Sequence, residues 1–260
     1  MERQQRNLWR DDRTARAFWS QQEAPAYRRL LRDTLDWAAP AAGETWLDLG
    51  CGGGALTAAI WKRTGGTVSR IVGVDVAEAN AHSYDMLRET LRPAPGGRIA
   101  FVHHDFSEGL PLPDAAVDHA VSGLAIMYAE SWSESENRWT GEAYDRVLRE
   151  VHRVVRPGGR FVLSVNVPNP AWWRVALASL GGVATSPDPL RFLKRSWRML
   201  RYGRWLKEQA RIGRFHYLPV DTVAGKLRAA GFGKIEHRLS YAGQAYVIRC
   251  MRPDSGALPD

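Results

Sequence analysis

Apolar residues follow two alternating rhythms along this chain. Continuous apolar runs of strand length stand at Thr45–Leu49, Arg70–Val74, Ile99–Val102, Ala116–Val121 and Arg160–Val165. Between them the apolar residues recur at the three- and four-residue spacing of a helix that faces a core, as Leu56, Ile60 and Trp61 do after the first run. Buried strands alternating with helices predict an α/β fold, a doubly wound sheet with helices on both faces. Near the C terminus Val220–Ala230 reads as a helix ended by Gly231-Phe232-Gly233, and two strand-like runs, Lys234–Tyr241 and Gln244–Met251, flank Ala242-Gly243.

The first strand runs into the chemistry. In Trp46-Leu-Asp-Leu-Gly-Cys-Gly-Gly-Gly-Ala-Leu56 an apolar run ends in an acid and breaks into spaced glycines before a helix resumes. Gly50, Gly52 and Gly54 remove Cβ atoms where the backbone must turn and let a ligand lie close. Two nucleotide-type ligands fit. Gly50-x-Gly52-x-x-Ala55 with Asp75 after the second strand loosely satisfies a dinucleotide fingerprint. Asp48, two residues ahead of the first glycine, suits a cationic ligand better than a pyrophosphate; S-adenosylmethionine has an ammonium, a sulfonium and no phosphate. In an open parallel sheet ligands gather beyond the carboxyl ends of the strands, and Asp48, Asp75 and Asp105 all stand at such ends. Each could instead cap the helix that follows.

From here the chain resembles a known family, the class I S-adenosylmethionine-dependent methyltransferases, of the small-molecule, UbiE-like type. Asp48-Leu-Gly50-Cys-Gly52-Gly-Gly54 is similar to the family's acid-x-Gly-x-Gly-x-Gly pattern, and Ile71-Val-Gly-Val-Asp75 to its second strand and acid. Ile99–Phe106, Val117–Gly123 and Glu150–Ser164 with its Pro157-Gly158-Gly159 turn supply three further matches in order, over roughly residues 44 to 167. The resemblance implies a Rossmann-like, seven-stranded sheet, mostly parallel with an antiparallel C-terminal strand, plus a helical lid insertion. It implies S-adenosylmethionine as cofactor and S-adenosylhomocysteine as product, cradled by Gly50, Gly52 and Gly54 beside Asp48. Asp75 would meet the ribose and Asp105 and Phe106 the adenine, with Val76 and Ser122 also among the cofactor-binding residues. No metal is implied. Methyltransferases acting on exocyclic amines carry Asn or Asp-Pro-Pro-aromatic after the fourth strand, where this chain has Ser122-Gly-Leu-Ala. Asn166-Val-Pro168-Asn169-Pro170 follows the fifth strand instead, and its prolines read as the stop of that strand. O- or C-methylation of a small, apolar or amphipathic metabolite is therefore favoured over N-methylation.

At 260 residues the chain suits a single α/β core with an insertion. The expected divisions are a helical cap over 1–43, the cofactor-binding core over 44–168, a lid over 169–214, completion of the core over 215–252 and a tail from 253. Cys51 and Cys250 are the only cysteines and lack metal spacing, which disfavours disulfides and structural zinc. The N terminus lacks an apolar targeting core, which gives a cytoplasmic reading.

The net charge of +8 changes the picture only locally. Between Leu190 and Arg214 stand nine basic residues and one acid, Glu208, so the whole excess belongs to the lid. Leu190, Leu193, Trp197 and Leu200 recur there at helical spacing, giving a basic amphipathic helix. It can pack across the substrate end with its arginines in water, sit on anionic lipid and admit an apolar substrate, or track RNA phosphates. RNA ranks last, since no added RNA-binding domain is evident. A cofactor-binding regulatory protein without turnover also remains open. Trp19, Trp172, Trp173 and Tyr217 mark the substrate side, and His216 and then Tyr128 are the candidates for a general base where the acceptor needs one.

Overall fold

The computed structural model describes residues 8–10, 24–92, 98–179 and 202–254. Helix α1 (Pro25–Ala38) starts on a proline, whose missing N–H costs nothing at a helix start, and buries Ala26, Leu30, Leu35 and Ala38 along one side. Then come β1 (Thr45–Leu49), α2 (Ala55–Arg63), β2 (Arg70–Asp75), α3 (Ala79–Leu91), β3 (Ile99–His103) and β4 (His119–Gly123). A small hairpin of β5 (Ser131–Ser133) and β6 (Arg138–Thr140) precedes α4 (Glu142–Val154), β7 (Arg160–Asn166) and α5 (Trp172–Ser179). Residues 202–211 are helical, and α6 (Val220–Ala229), β8 (Gly233–Ser240) and β9 (Ala245–Met251) complete the fold.

Seven strands form one sheet in the order β3-β2-β1-β4-β7-β9-β8. Only β9 runs against its neighbours. Period-two alternation assigns side chains to two cores: Trp46, Ile71 and Val162 face α1, α2 and α3, while Leu47, Leu49, Val72, Phe161 and Leu163 face α4 and α6. Helix α4 buries Ala143, Tyr144, Val147, Leu148, Val151 and Val154, and carries acids in its first turn and bases in its last, as the helix dipole favours. Strand β8 is the sheet's edge. Its Lys234, Glu236, His237 and Leu239 are exposed, its register shifts between Gly233 and Glu236, and Glu236 pairs with Arg249 on β9.

The fourth strand starts later than its apolar run. Ala115 adopts a left-handed turn (φ 52°), Val117 makes only an isolated bridge to Val155, and regular pairing begins at His119. The hairpin β5–β6 has no counterpart in the sequence reading; Trp132 and Trp139 pair across it with ring centroids 5.2 Å apart. Among the described residues no helix is long and apolar enough to cross a membrane. Both cysteines are buried and unbridged. Trp19 and residues 180–201, which hold most of the basic lid, lie outside the described residues.

Candidate cofactor and acceptor site

At the carboxyl end of β1 the chain must reverse into α2 within a few residues. Gly50 does so at φ 66°, and a Cβ there would lie 2.2 Å from the Ala125 Cβ, so only glycine fits between the loop and the end of β4. The Gly50 and Cys51 N–H groups both donate to the Val74 carbonyl at 2.8 and 3.2 Å, which pins the loop to β2. Gly52 faces open space, where a Cβ would project into the cleft.

Asp48 is 1 % exposed. Its Oδ2 accepts from the Thr57 backbone N–H at 3.0 Å and from the Thr57 hydroxyl at 2.8 Å; the Tyr84 hydroxyl lies 2.8 Å from that same oxygen of Thr57. Burial raises the Asp48 carboxyl from 3.8 to about 6, against the pull of the Thr57 bonds. Asp75, at the end of β2, accepts from Gly52 N–H through Oδ2, and from Ala77 N–H and the Asn80 amide through Oδ1, each at 2.9 Å. Burial raises its carboxyl too. One cleft joins these groups. Its floor is Asp48, Gly50–Gly53 and Asp75–Ala77. One wall holds Phe106, Leu124 and Ala125, and the roof is formed by Trp9, Tyr27, Trp172, Tyr202, Leu206 and Tyr241. Among the described residues it is lined by two carboxylates and by no lysine, arginine or histidine.

The structure brings Asp48, Gly50, Gly52, Asp75, Val76, Phe106, Tyr128 and Trp172 together on this cleft. The remaining sequence candidates stand elsewhere. Gly54 is the N-cap of α2, with a left-handed backbone. Ser122 lies beneath the floor, its hydroxyl donating to the Leu49 carbonyl at 2.9 Å. Asp105 caps a 3-10 turn by accepting from Ser107 N–H, and its other oxygen lies 3.4 Å from Arg10. Trp173 points outward, 56 % exposed, with the Arg174 guanidinium over its ring.

His216 sits behind the wall. Its backbone N–H donates to the Met127 carbonyl at 2.9 Å, and Nε2, 3.1 Å from the Ala129 carbonyl, is placed to donate there. Its ring meets Tyr144 edge-on, and burial lowers its pKa. Tyr217 is buried beside Tyr128, hydroxyl to hydroxyl at 3.3 Å. Close by, the buried Arg214 pairs with Glu130 at 2.7 Å and lies over Trp139, tying the chain's return from the lid to β5–β6.

Sequence reasoning missed Asn80, Asn166 and Tyr241. Asn80 had a signal, a polar residue in the first turn of the helix after an acid-ended strand. The other two reach the cleft only through tertiary packing. The Trp172 indole N–H donates to the Gly203 carbonyl at 3.1 Å, and a Cβ on Gly203 would fall 2.3 Å from the Trp172 ring, so α5 and helix 202–211 touch backbone to indole.

Comparison with known proteins agrees with this geometry. Residues 47–163 match a family model described as a methyltransferase domain. An uncharacterized methyltransferase of Mycobacterium tuberculosis is 34% identical over 134 residues, 52% of this chain and 44% of that protein. The ubiquinone/menaquinone biosynthesis C-methyltransferase UbiE of Rubrivivax gelatinosus is 31% identical over 189 residues, 66% of this chain and 62% of its own length. The 27-O-demethylrifamycin SV methyltransferase of Amycolatopsis mediterranei is 31% identical over 164 residues, covering 59% and 52%. The chain thus spans about half the length of the curated relatives it matches. Among solved structures, a putative S-adenosyl-L-methionine-dependent methyltransferase of Methanococcus maripaludis superposes with a TM-score of 0.61 at 19% identity, over 95% of this chain and 96% of that one, which shows a common fold. With the strand order, the glycine turn and the two strand-end acids in place, this chain is similar to the class I S-adenosylmethionine-dependent methyltransferases, the match to a methyltransferase domain lying in residues 47–163.

Proposed function

We propose that the chain transfers a methyl group from S-adenosylmethionine to an oxygen or carbon atom of a small, apolar or amphipathic acceptor. The observation that carries this reading is the charge of the cleft: Asp48 and Asp75 line it without a basic side chain among the described residues. That lining repels a pyrophosphate and favours a cation, which disfavours a dinucleotide. The residues fit the cofactor in shape as well, since Gly52 leaves open the space a side chain would fill. The loop Gly50–Gly53 and Asp48 would hold the cationic amino-acid end, Asp75 the ribose hydroxyls, and Val76 and Phe106 the adenine faces. A hold of Asp105 on the adenine amino group would have to be shared with its bonds to Ser107 and Arg10.

When bound, the cofactor supplies a methyl group activated on a sulfonium. What the chain's own residues do is align and desolvate. Trp9, Tyr27, Trp172, Tyr202, Leu206 and Tyr241 cover the cleft with aromatic and aliphatic surface that excludes water. Tyr128 is one of the tyrosines on the acceptor side of that lining, and burial holds its hydroxyl protonated by raising its pKa well above the ordinary value. We assign His216 a structural part, holding the 3-10 turn that carries Tyr128. The relatives named for C- and O-methylation support an oxygen or carbon acceptor.

The test is calorimetric titration with S-adenosylhomocysteine and, as control, NAD. Micromolar binding of the first and none of the second is expected; the reverse order would sink the reading. Cofactor binding with no turnover on any acceptor would favour a non-catalytic binding protein. Loss of labelled-methyl uptake after ribonuclease treatment of a cell extract would favour RNA as acceptor.

A further inference from the structure

Two strands over from β1, and four residues beyond the position in register with Asp48, β7 ends in Asn166. Its backbone continues the ladder to β9, opposite Ala245, while its side chain lines the cleft at 1 % exposure. Neither the amide oxygen nor the amide nitrogen has a partner in good hydrogen-bond geometry, although the amide lies close enough to the Tyr128 and Tyr217 hydroxyls to act on them. Buried side-chain polar atoms are nearly always paired, and a buried amide without a well-formed bond at either end is rare. The nearby hydroxyls of Tyr128 and Tyr217 bond to one another at 3.3 Å.

The surroundings define what such an amide could hold. On this side the cleft is lined by Trp9, Tyr128, Trp172, Tyr202, Leu206 and Tyr241, with no charged side chain among the described residues. Trp9 and Tyr128 stand at a ring-centroid distance of 4.7 Å, so the wall is aromatic and continuous. A phosphate or carboxylate would be desolvated here without a counter-ion, and an ammonium without an acid. An uncharged flat ring gains stacking area from the walls. An oxygen on its rim gains a two-way polar grip at Asn166, because a carboxamide offers a donor and an acceptor in one plane and so matches either a hydroxyl or a ketone.

We propose that Asn166 is the polar anchor of the acceptor subsite, and that it takes a neutral, planar ring compound through a hydroxyl or ketone oxygen on its rim. This rests on the methyltransferase reading for its purpose, though not for its binding chemistry. Asn166 fixes which edge of the ring faces the cofactor end of the cleft, which makes it a determinant of regiochemistry as well as affinity.

The experiment uses the full chain and three probes of one shape, 1-naphthol, naphthalene and 1-naphthoate, followed by quenching of tryptophan fluorescence with and without S-adenosylhomocysteine. Wild type should bind naphthol about tenfold more tightly than naphthalene, one hydrogen bond's worth, and naphthoate least. In Asn166→Leu, which matches the amide in size, the naphthol preference should vanish while naphthalene and S-adenosylhomocysteine bind as before. Asn166→Ala, which adds no bulk, should lose the same preference. Equal binding of naphthol and naphthalene to wild type, a preference for naphthoate, binding of none of the three, or an undiminished naphthol preference in a folded variant overturns the proposal. Failure of S-adenosylhomocysteine to bind wild type would remove the methyltransferase reading alone, since the naphthol preference is read without it.

Discussion

Asp48 gives the sharpest test of how the site is built. The native state holds this carboxyl near 6 where the unfolded chain holds it near 3.8, because burial opposes its charge. An acid whose pKa is raised on folding binds its proton more tightly in the native state, so it favours the native state at low pH. That advantage is lost as the pH rises from about 4 to about 6. The full difference is about 3 kcal/mol at 1.36 kcal/mol per pKa unit. About 1.4 kcal/mol of it falls between pH 5 and pH 8, where the rest of the protein can be expected to stay folded. Asp48→Asn keeps an oxygen to accept from Thr57 and cannot ionise. Urea unfolding of both proteins at pH 5, 6, 7 and 8 should therefore show the variant gaining on wild type by about 1.4 kcal/mol across the series. S-adenosylhomocysteine, whose ammonium favours the ionised carboxylate, should bind wild type more tightly as the pH rises through 6 and bind the variant weakly and with a flatter profile. Parallel stability curves for the two proteins would refute the reasoning, because the charge of Asp48 would then be stabilised as well in the fold as in water.

Other perturbations separate the roles of neighbouring groups. Asp75→Ala strips three donors of their acceptor, and should weaken S-adenosylhomocysteine binding by about 1.5–3 kcal/mol; calorimetry showing unchanged affinity would remove Asp75 from the site. Arg214→Met leaves Glu130 buried without its main partner and should lower stability by about 3–5 kcal/mol, with the added Glu130→Gln recovering much of the loss in thermal melts. His216→Gln can still donate to the Ala129 carbonyl, so turnover and its pH profile should be retained, whereas His216→Ala should lower the melting temperature by leaving that carbonyl unpaired. A pH profile that loses its acid limb in the glutamine variant would return His216 to the role of base.

What the sequence made legible was whatever depends on neighbours along the chain. Strand β1, the glycine turn and the start of α2 are consecutive, and their apolar run, acid and glycines each carry a local reason to be there. Asp75 could be placed because a strand end is a local event. Trp172 and Trp173 could not be told apart from sequence, since adjacent helical residues lie about 100° apart and only one of them can face the cleft; packing against Gly203 selected Trp172. His216 looked like a base because it follows the lid, yet its ring turns to the Ala129 carbonyl rather than to the cleft. Every residue of β7 after the first is buried, so no alternation marked Asn166 as the one whose side chain meets the cleft. The hairpin β5–β6 left a weak trace, Asn137 in a left-handed turn between two tryptophans, but three-residue strands fall below what periodicity can reveal.

The edge strand β8 bears on what the border of the sheet offers to another chain. A seven-stranded sheet that ended in a regular apolar strand would offer its unpaired N–H and C=O groups to any other chain in solution. Here Lys234, Glu236 and His237 project from that border, and the register shift after Gly233 bends the strand where a straight template would be needed. Leu239, 59 % exposed, is the weak point in this guard. Removing the charges beside it would leave fold and cleft intact and change the colloidal behaviour, turning the border of the sheet into a seed for intermolecular strand pairing.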